Sequence, residues 1–536
     1  MARSPFAVCR GKGWGRKLGT SFVRSHDREG TGNAMRPILA ALLLSAVAHV
    51  GWAQVPEGYE LAASVDFEDG SLDAVEVRPT SEWAIEDGAL TITTVGTEGE
   101  VRAPFSYVTL PGHWVGDLVL TFRAKCHTDP EVQGRDVCAF LGWSDPTHFS
   151  YVHFSNTSDG VHNAILEVDG ADRAPLELQA EPQAKLTDAE WHTFKVERTL
   201  SDGMIRGYVD DMETPCLVAR DPEPWAGKVG VGAFDDKASF DDIRLYVRED
   251  RMTIDDILAP GAEVEQIATG FIFTEGPSWD ALQGLLKFSD IPNNRINTMS
   301  PEGEVGVFVE PSEQSNGTFY DARDGSLLAC RHWARDVVRL APDGAATVLA
   351  DTYQGGKFNS PNDCVLTTSG AIYFTDPAYG LGDREAEQDV EAVYRLDPDG
   401  TVTRVIDDMT KPNGIHISPN GEWLYVADSI DMFVKAYRVN EDGSCGDGRV
   451  LGELKAPEEG VPDGMTMDTQ GRVYCTGSGG VWVFGPQGEL IGRIMVPEPP
   501  ANCTFGGEDY STLYMTARSS VYAVKTRVTG YLPPVD

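Results

Sequence analysis

From residue 54 onward the chain is built of short runs in which apolar and polar positions alternate. No stretch shows the apolar period of a long amphipathic helix. Four runs stand out early, at 88–92, 117–124, 191–198 and 227–232, with polar and Gly/Asp turns between them. This spacing predicts an antiparallel β-sandwich (jelly roll) over residues 54–250. Residues 251–262, of mixed charge with Pro260 and Gly261, read as a linker, and the end, 528–536, as a loose tail.

Between them, over 263–527, the alternation becomes periodic. Glu275, Asn316, Asn362, Asn413, Asp463 and Asn502 each stand just ahead of a strand-like run, at intervals of 39 to 51 residues. In five of the six units a turn glycine follows eight or nine residues on (Gly284, Gly325, Gly370, Gly421, Gly471), and a second strand-like run follows that. About four short strands in a period of 40 to 50 residues define a propeller blade, so the fold class is all-β: a sandwich followed by a six-bladed β-propeller. Equivalent positions of successive blades meet at the axis. The six oxygen-bearing side chains should therefore converge on one tunnel mouth.

Composition changes the picture in three ways. A net charge of −39 disfavours nucleic acid and anionic membrane surfaces as partners. Nine cysteines occur, none in C-x-x-C spacing; Cys126 and Cys138 are close enough in sequence to close a loop, whereas Cys330, Cys364 and Cys475 lie within strand-like runs and read as buried thiols. Residues 1–34 are basic and glycine-rich. Met35-Arg36 then opens a charged start, an apolar core and a small-residue site near Ala53, the pattern of a signal peptide over about 35–53, which implies a secreted or periplasmic protein. No later segment is long and apolar enough to span a membrane.

The tunnel set, two carboxylates and four amides, suits a hard divalent cation, Ca²⁺ first, with Mg²⁺, Mn²⁺ or Zn²⁺ as alternatives; Zn²⁺ favours nitrogen or sulfur. Asn-Gly and Asp-Gly are also ordinary hairpin dipeptides. Pro342-Asp343-Gly344, Pro398-Asp399-Gly400 and Pro419-Asn420-Gly421 fit that role because they follow strands, whereas the tunnel set precedes them.

Thr274-Glu275-Gly276-Pro277, the 358–363 segment Phe-Asn-Ser-Pro-Asn-Asp, Tyr373-Phe374-Thr375-Asp376-Pro377, Lys411-Pro412-Asn413-Gly414 and Pro462-Asp463-Gly464-Met465 resemble the gluconolactonase, senescence-marker-protein and luciferin-regenerating-enzyme family over about 265–525. That resemblance implies a metal-dependent propeller that hydrolyses small lactones. It makes Glu275, Asn413 and Asp463 the metal ligands, Asp463 also the proton donor and acceptor, and Asn362 a contact to substrate or metal. A family stretch of His-Gly-Asn-Arg-Arg reads here His332-Trp333-Ala334-Arg335-Asp336; His332 and Lys357 are candidate substrate-binding residues. The first unit resembles the concanavalin-A-like lectin/glucanase jelly rolls, including keto-disaccharide hydrolase-like domains, with 65–70, 191–198 and 238–244 carrying the likeness. It suggests an accessory carbohydrate-binding role, with Trp83, Trp114, Trp143 and Trp225 able either to stack on sugar or to pack in the core. Two other functions remain open: a phosphotriesterase at the same site, and a non-catalytic glycan-binding propeller.

Overall fold

The computed structural model describes residues 55–532 apart from residue 79. The expected signal peptide lies outside the described residues.

Alternation becomes two sheets in the first half, one of nine strands and one of seven. The strand His192–Arg198 shows how: buried and half-buried positions alternate along it, so Phe194 and Val196 enter the core while Lys195 and Glu197 pair on the outer face, 2.8 Å apart. Phe194 stacks on Phe122 of Leu118–Cys126 at 4.9 Å between ring centres, and Leu120, Val137, Ala139, Val152 and Val231 fill the space between the sheets. Fully burying a Val, Leu or Phe side chain stabilises the fold by about 1.5–3 kcal/mol.

Strand parity also decides the cysteines. Cys126 ends a strand and points into the core between the sheets, whereas Cys138 lies on Asp136–Asp145 with its side chain on the opposite face of the other sheet. The loop-closing disulfide between them is therefore not formed. All eight described cysteines are free, Cys330, Cys364 and Cys475 being buried thiols as expected.

The four tryptophans are engaged in packing. Trp83 meets Phe240, Trp143 meets Tyr107, Trp114 is buried beside Val450, and Trp225 stands edge-on to Trp423 at 4.9 Å. The last two contacts join the sandwich to the propeller, with which it forms one compact unit. Lys228 bridges to Glu453 at 3.0 Å, Arg449 to Asp169 at 2.5 Å, and the Ala226 N–H donates to the Gln487 carbonyl at 2.7 Å.

Six four-stranded antiparallel sheets form the propeller. Their innermost strands are Thr274–Asp280, Ser315–Asp321, Cys364–Leu366, Pro412–Ile417, Met465–Met467 and Asn502–Gly506. The ring is closed by the two ends of the propeller segment. Glu265–Thr269, from the start of the propeller, pairs as the outermost strand with Ser520–Lys525 of the last blade. The five turn glycines all have positive φ, between 67° and 88°, which a glycine adopts without strain.

Two expected loose segments are docked. The 251–262 stretch contains a short helix, Ile254–Ile257, whose Ile257 is fully buried against the last two blades. The Tyr531 N–H donates to the Met467 carbonyl at 2.8 Å and its ring lies 6.3 Å from that of His416, so Tyr531 and Leu532 lie across one end of the axial channel.

Candidate active site at the propeller axis

The glycine that follows four of the six tunnel residues explains how the mouth is built. Gly317, Gly414 and Gly464 do not have the left-handed φ of hairpin glycines, unlike Gly344, Gly400 and Gly421. They are required by crowding. A Cβ on Gly414 would sit 2.1 Å from the Asp463 carbonyl oxygen, and one on Gly464 would sit 1.8 Å from the Asn502 side chain. On Gly317 it would meet the Asp363 carboxylate at 2.3 Å. Inner strands of neighbouring blades thus touch backbone to backbone through hydrogen bonds such as Gly317 N–H to Asn362 O, 2.7 Å, and Gly464 N–H to Ala501 O, 2.7 Å. Side chains of the next blade fill the spaces that the glycines leave.

Glu275 is buried at the mouth, its carboxylate accepting from Asn502 Nδ2 at 3.0 Å and from the Gly276 N–H. The same Asn502 amide reaches Asp363 Oδ2 at 3.3 Å, and the Cys364 N–H donates to Asp363 Oδ1 at 2.9 Å. Asp463 lies beside Asn413 and Glu275 and interacts with both. Burial pushes Glu275 up to about 7, the Asn502 and Gly276 donors opposing it. Burial and the Glu275 charge push both Asp363 and Asp463 well above the usual carboxylate range. None of the three forms an ion pair with a basic side chain among the described residues. Of the three, only Asp463 remains partly exposed.

The amides complete the ring. Asn413 donates to Ser429 Oγ at 2.9 Å, and Ser429 donates to the Pro462 carbonyl at 2.7 Å, which fixes the Asn413 side chain. Asn316 donates through Nδ2 to His332 Nε2 at 3.1 Å, leaving its own buried oxygen without a partner. Burial and the nearby Arg384 push His332 down to about 4, so its imidazole is neutral and holds Asn316 in place. Asn362 is buried, and its backbone carbonyl accepts the Gly317 N–H of the neighbouring blade. Lys357 is not brought to this group: its ammonium pairs with Asp351 at 2.8 Å, both side chains well exposed.

Two residues at the mouth escaped sequence reasoning. Asp363 follows the in-phase Asn362, where four of the other five blades place glycine, and only the gap at Gly317 lets its carboxylate reach the axis. Tyr379 comes from a long loop after Ile372–Asp376; burial, with the Asp463 charge, pushes its phenol up to about 12. Gly380 lets that loop cross His332, and Arg384 clamps it, donating to the carbonyls of Trp333 (2.7 Å), His332 (3.1 Å) and Gly380 (2.6 Å). The unusual length of the third blade's loop was the available signal.

Below the ring the channel is lined by Ser278, Thr318, His416, Thr466 and Thr504 and closed by Tyr531 and Leu532. Fold and site together define a six-bladed propeller with three unpaired carboxylates clustered at its axial mouth. Residues 273–519 match the family described as SMP-30/Gluconolactonase/LRE-like region. The chain is 32% identical over 303 residues to the gluconolactonase of Zymomonas mobilis, covering 52% of this chain and 85% of that protein. It is 31% identical over 252 residues to pentonolactonase XacC of Haloferax volcanii, covering 45% of this chain and 80% of that one. Among solved structures, a gluconolactonase from Xanthomonas campestris is 31% identical, with 52% of this chain and 94% of that chain covered and a TM-score of 0.48. The chain belongs to the SMP-30/gluconolactonase/LRE-like family.

Proposed function

We propose that this protein is a lactonase, opening small lactones of the aldonolactone type at the propeller mouth with one divalent cation bound there. The observation that carries this reading is the convergence of Glu275, Asp363 and Asp463, buried or nearly so, with no basic partner. Like charges this close cannot all ionise unless protons or a cation offset them. The donor set fits the group: carboxylates from Glu275 and Asp463, the amide of Asn413 and the unpartnered Asn316 oxygen supply oxygen alone, which suits Ca²⁺ better than Zn²⁺. When bound, the cation supplies Lewis-acid polarisation of the lactone carbonyl and stabilises the oxyanion.

The chain's own residues do the rest. Asp463, the partly exposed carboxylate, accepts the proton of the attacking water and returns it to the departing ring oxygen. Asn502 and the Gly276 N–H fix Glu275, and Ser429 fixes Asn413, so the ring holds its shape before substrate arrives. Tyr379, still a neutral phenol at physiological pH, presents a hydrogen-bond donor beside Asp463. His332 acts through Asn316 as a positioning residue.

The signal-like segment at 35–53 supports a secreted or periplasmic location. The sandwich is proposed as an accessory domain of concanavalin-A-like type. The packing of its tryptophans gives no support to sugar stacking by those residues. The test is proton release from gluconolactone by the purified protein, before and after chelation and with Ca²⁺ restored. Chelator-sensitive release that returns with Ca²⁺ supports the reading. Release no faster than spontaneous hydrolysis, with turnover of a phosphotriester instead, would replace it.

A further inference from the structure

A second cluster of ligand-type side chains lies in the sandwich, on the face of the seven-stranded sheet turned away from the inter-sheet core. Strand Asp136–Asp145 puts Asp136 and Cys138 two residues apart and so on one face. Its neighbour His148–Ser155 pairs His153 directly opposite Cys138. None of the three is more than 1% exposed. The segment after Lys228–Ala233 brings Asp235 and Asp236 alongside: Asp236 Oδ2 accepts the Asp136 N–H at 2.7 Å, and Asp136 Oδ1 accepts the Phe234 N–H at 2.7 Å.

Two buried atoms are left over. His153 Nδ1 donates to the Val161 carbonyl at 2.8 Å, which fixes the ring and turns Nε2 toward Asp136. Nε2 and Asp136 Oδ2 lie 3.3 Å apart, yet they are not aligned as a hydrogen bond and neither has another partner. Leaving such groups unpaired costs about 1–3 kcal/mol each. We propose that Asp136, Cys138 and His153 form a metal site for a zinc-class transition ion, independent of the propeller mouth. Ligand bonds of about 2.0–2.1 Å at a tetrahedral angle would set the nitrogen and oxygen roughly 3.3 Å apart, the separation found here. The ligand atoms of all three residues lie within 4.8 Å of one another. A thiolate and an imidazole select against Ca²⁺ and Mg²⁺. The Val161 carbonyl is the usual outer partner of a metal-bound histidine, and exposed Asp235 offers the route in from solvent.

The experiment uses the full protein, stripped with chelator, exposed to Zn²⁺ alone, desalted and assayed for metal per chain, beside His153→Gln prepared in the same way. The wild type should retain one zinc more than the variant, and Co²⁺ in place of zinc should give a near-ultraviolet thiolate-to-metal band that Cys138→Ser abolishes. Equal zinc in wild type and His153→Gln, with matching circular dichroism, overturns the site and leaves a metal-free His153–Asp136 contact. Zinc bound without a thiolate band on cobalt substitution overturns the ligand set.

Discussion

Glu275 allows the axial cluster to be tested through stability alone. Its carboxyl is raised from 4.5 to about 7 by burial. A carboxyl that holds its proton more tightly when folded contributes its full stabilisation below 4.5, and that contribution is lost as pH rises through 7. A difference of this size corresponds to about 3 kcal/mol, or a fall of roughly 5–10 °C in Tm for a domain of this length. In chelator, Tm should therefore decline between pH 4.5 and 7.5. Because the chain's net charge of −39 adds its own repulsion, the comparison is with Glu275→Gln, which keeps the oxygen that accepts from Asn502 but cannot ionise. The variant should lose most of the decline, and saturating Ca²⁺ should flatten it in the wild type. Differential scanning calorimetry across that window reads both. A Glu275→Gln protein whose Tm falls as steeply as the wild type's would refute the assignment of the buried charge.

Asp463→Asn should lower lactone turnover by about 10²–10⁴-fold while circular dichroism stays wild-type-like; a near-normal rate in a pH-stat would remove Asp463 from proton transfer. Gly464→Ala, whose Cβ would collide with Asn502, should cost about 1–3 kcal/mol in a urea titration, and an unchanged midpoint would show that the blades slide apart freely. Arg384→Ala frees the loop that carries Tyr379, so KM for lactone should rise several-fold with kcat less affected; identical kinetics would place that loop outside the substrate's reach.

The sequence by itself determined the class of fold and the phase of the ring. Strand alternation is a property of single strands, as at His192–Arg198, and the six tunnel residues repeat because each blade repeats one local structure. The repeat marks all six tunnel positions alike, and it is the family resemblance that singles out Glu275, Asn413 and Asp463; in the structure Asp463 lies beside Glu275 and Asn413, and Asn316 is held by His332. Lys357 is near Asn362 in sequence, but a two-residue hairpin strand turns it to the surface and Asp351. Tertiary structure alone decided the rest. Asp363 reaches the axis only because glycine at 317, in another blade, leaves room for it. Tyr379 reaches the mouth because Arg384 ties its loop to the second blade. Cys126 and Cys138, twelve residues apart, end up on different faces of different sheets. Each of these outcomes depends on the distance between segments remote in the chain, which local pattern does not encode and packing does.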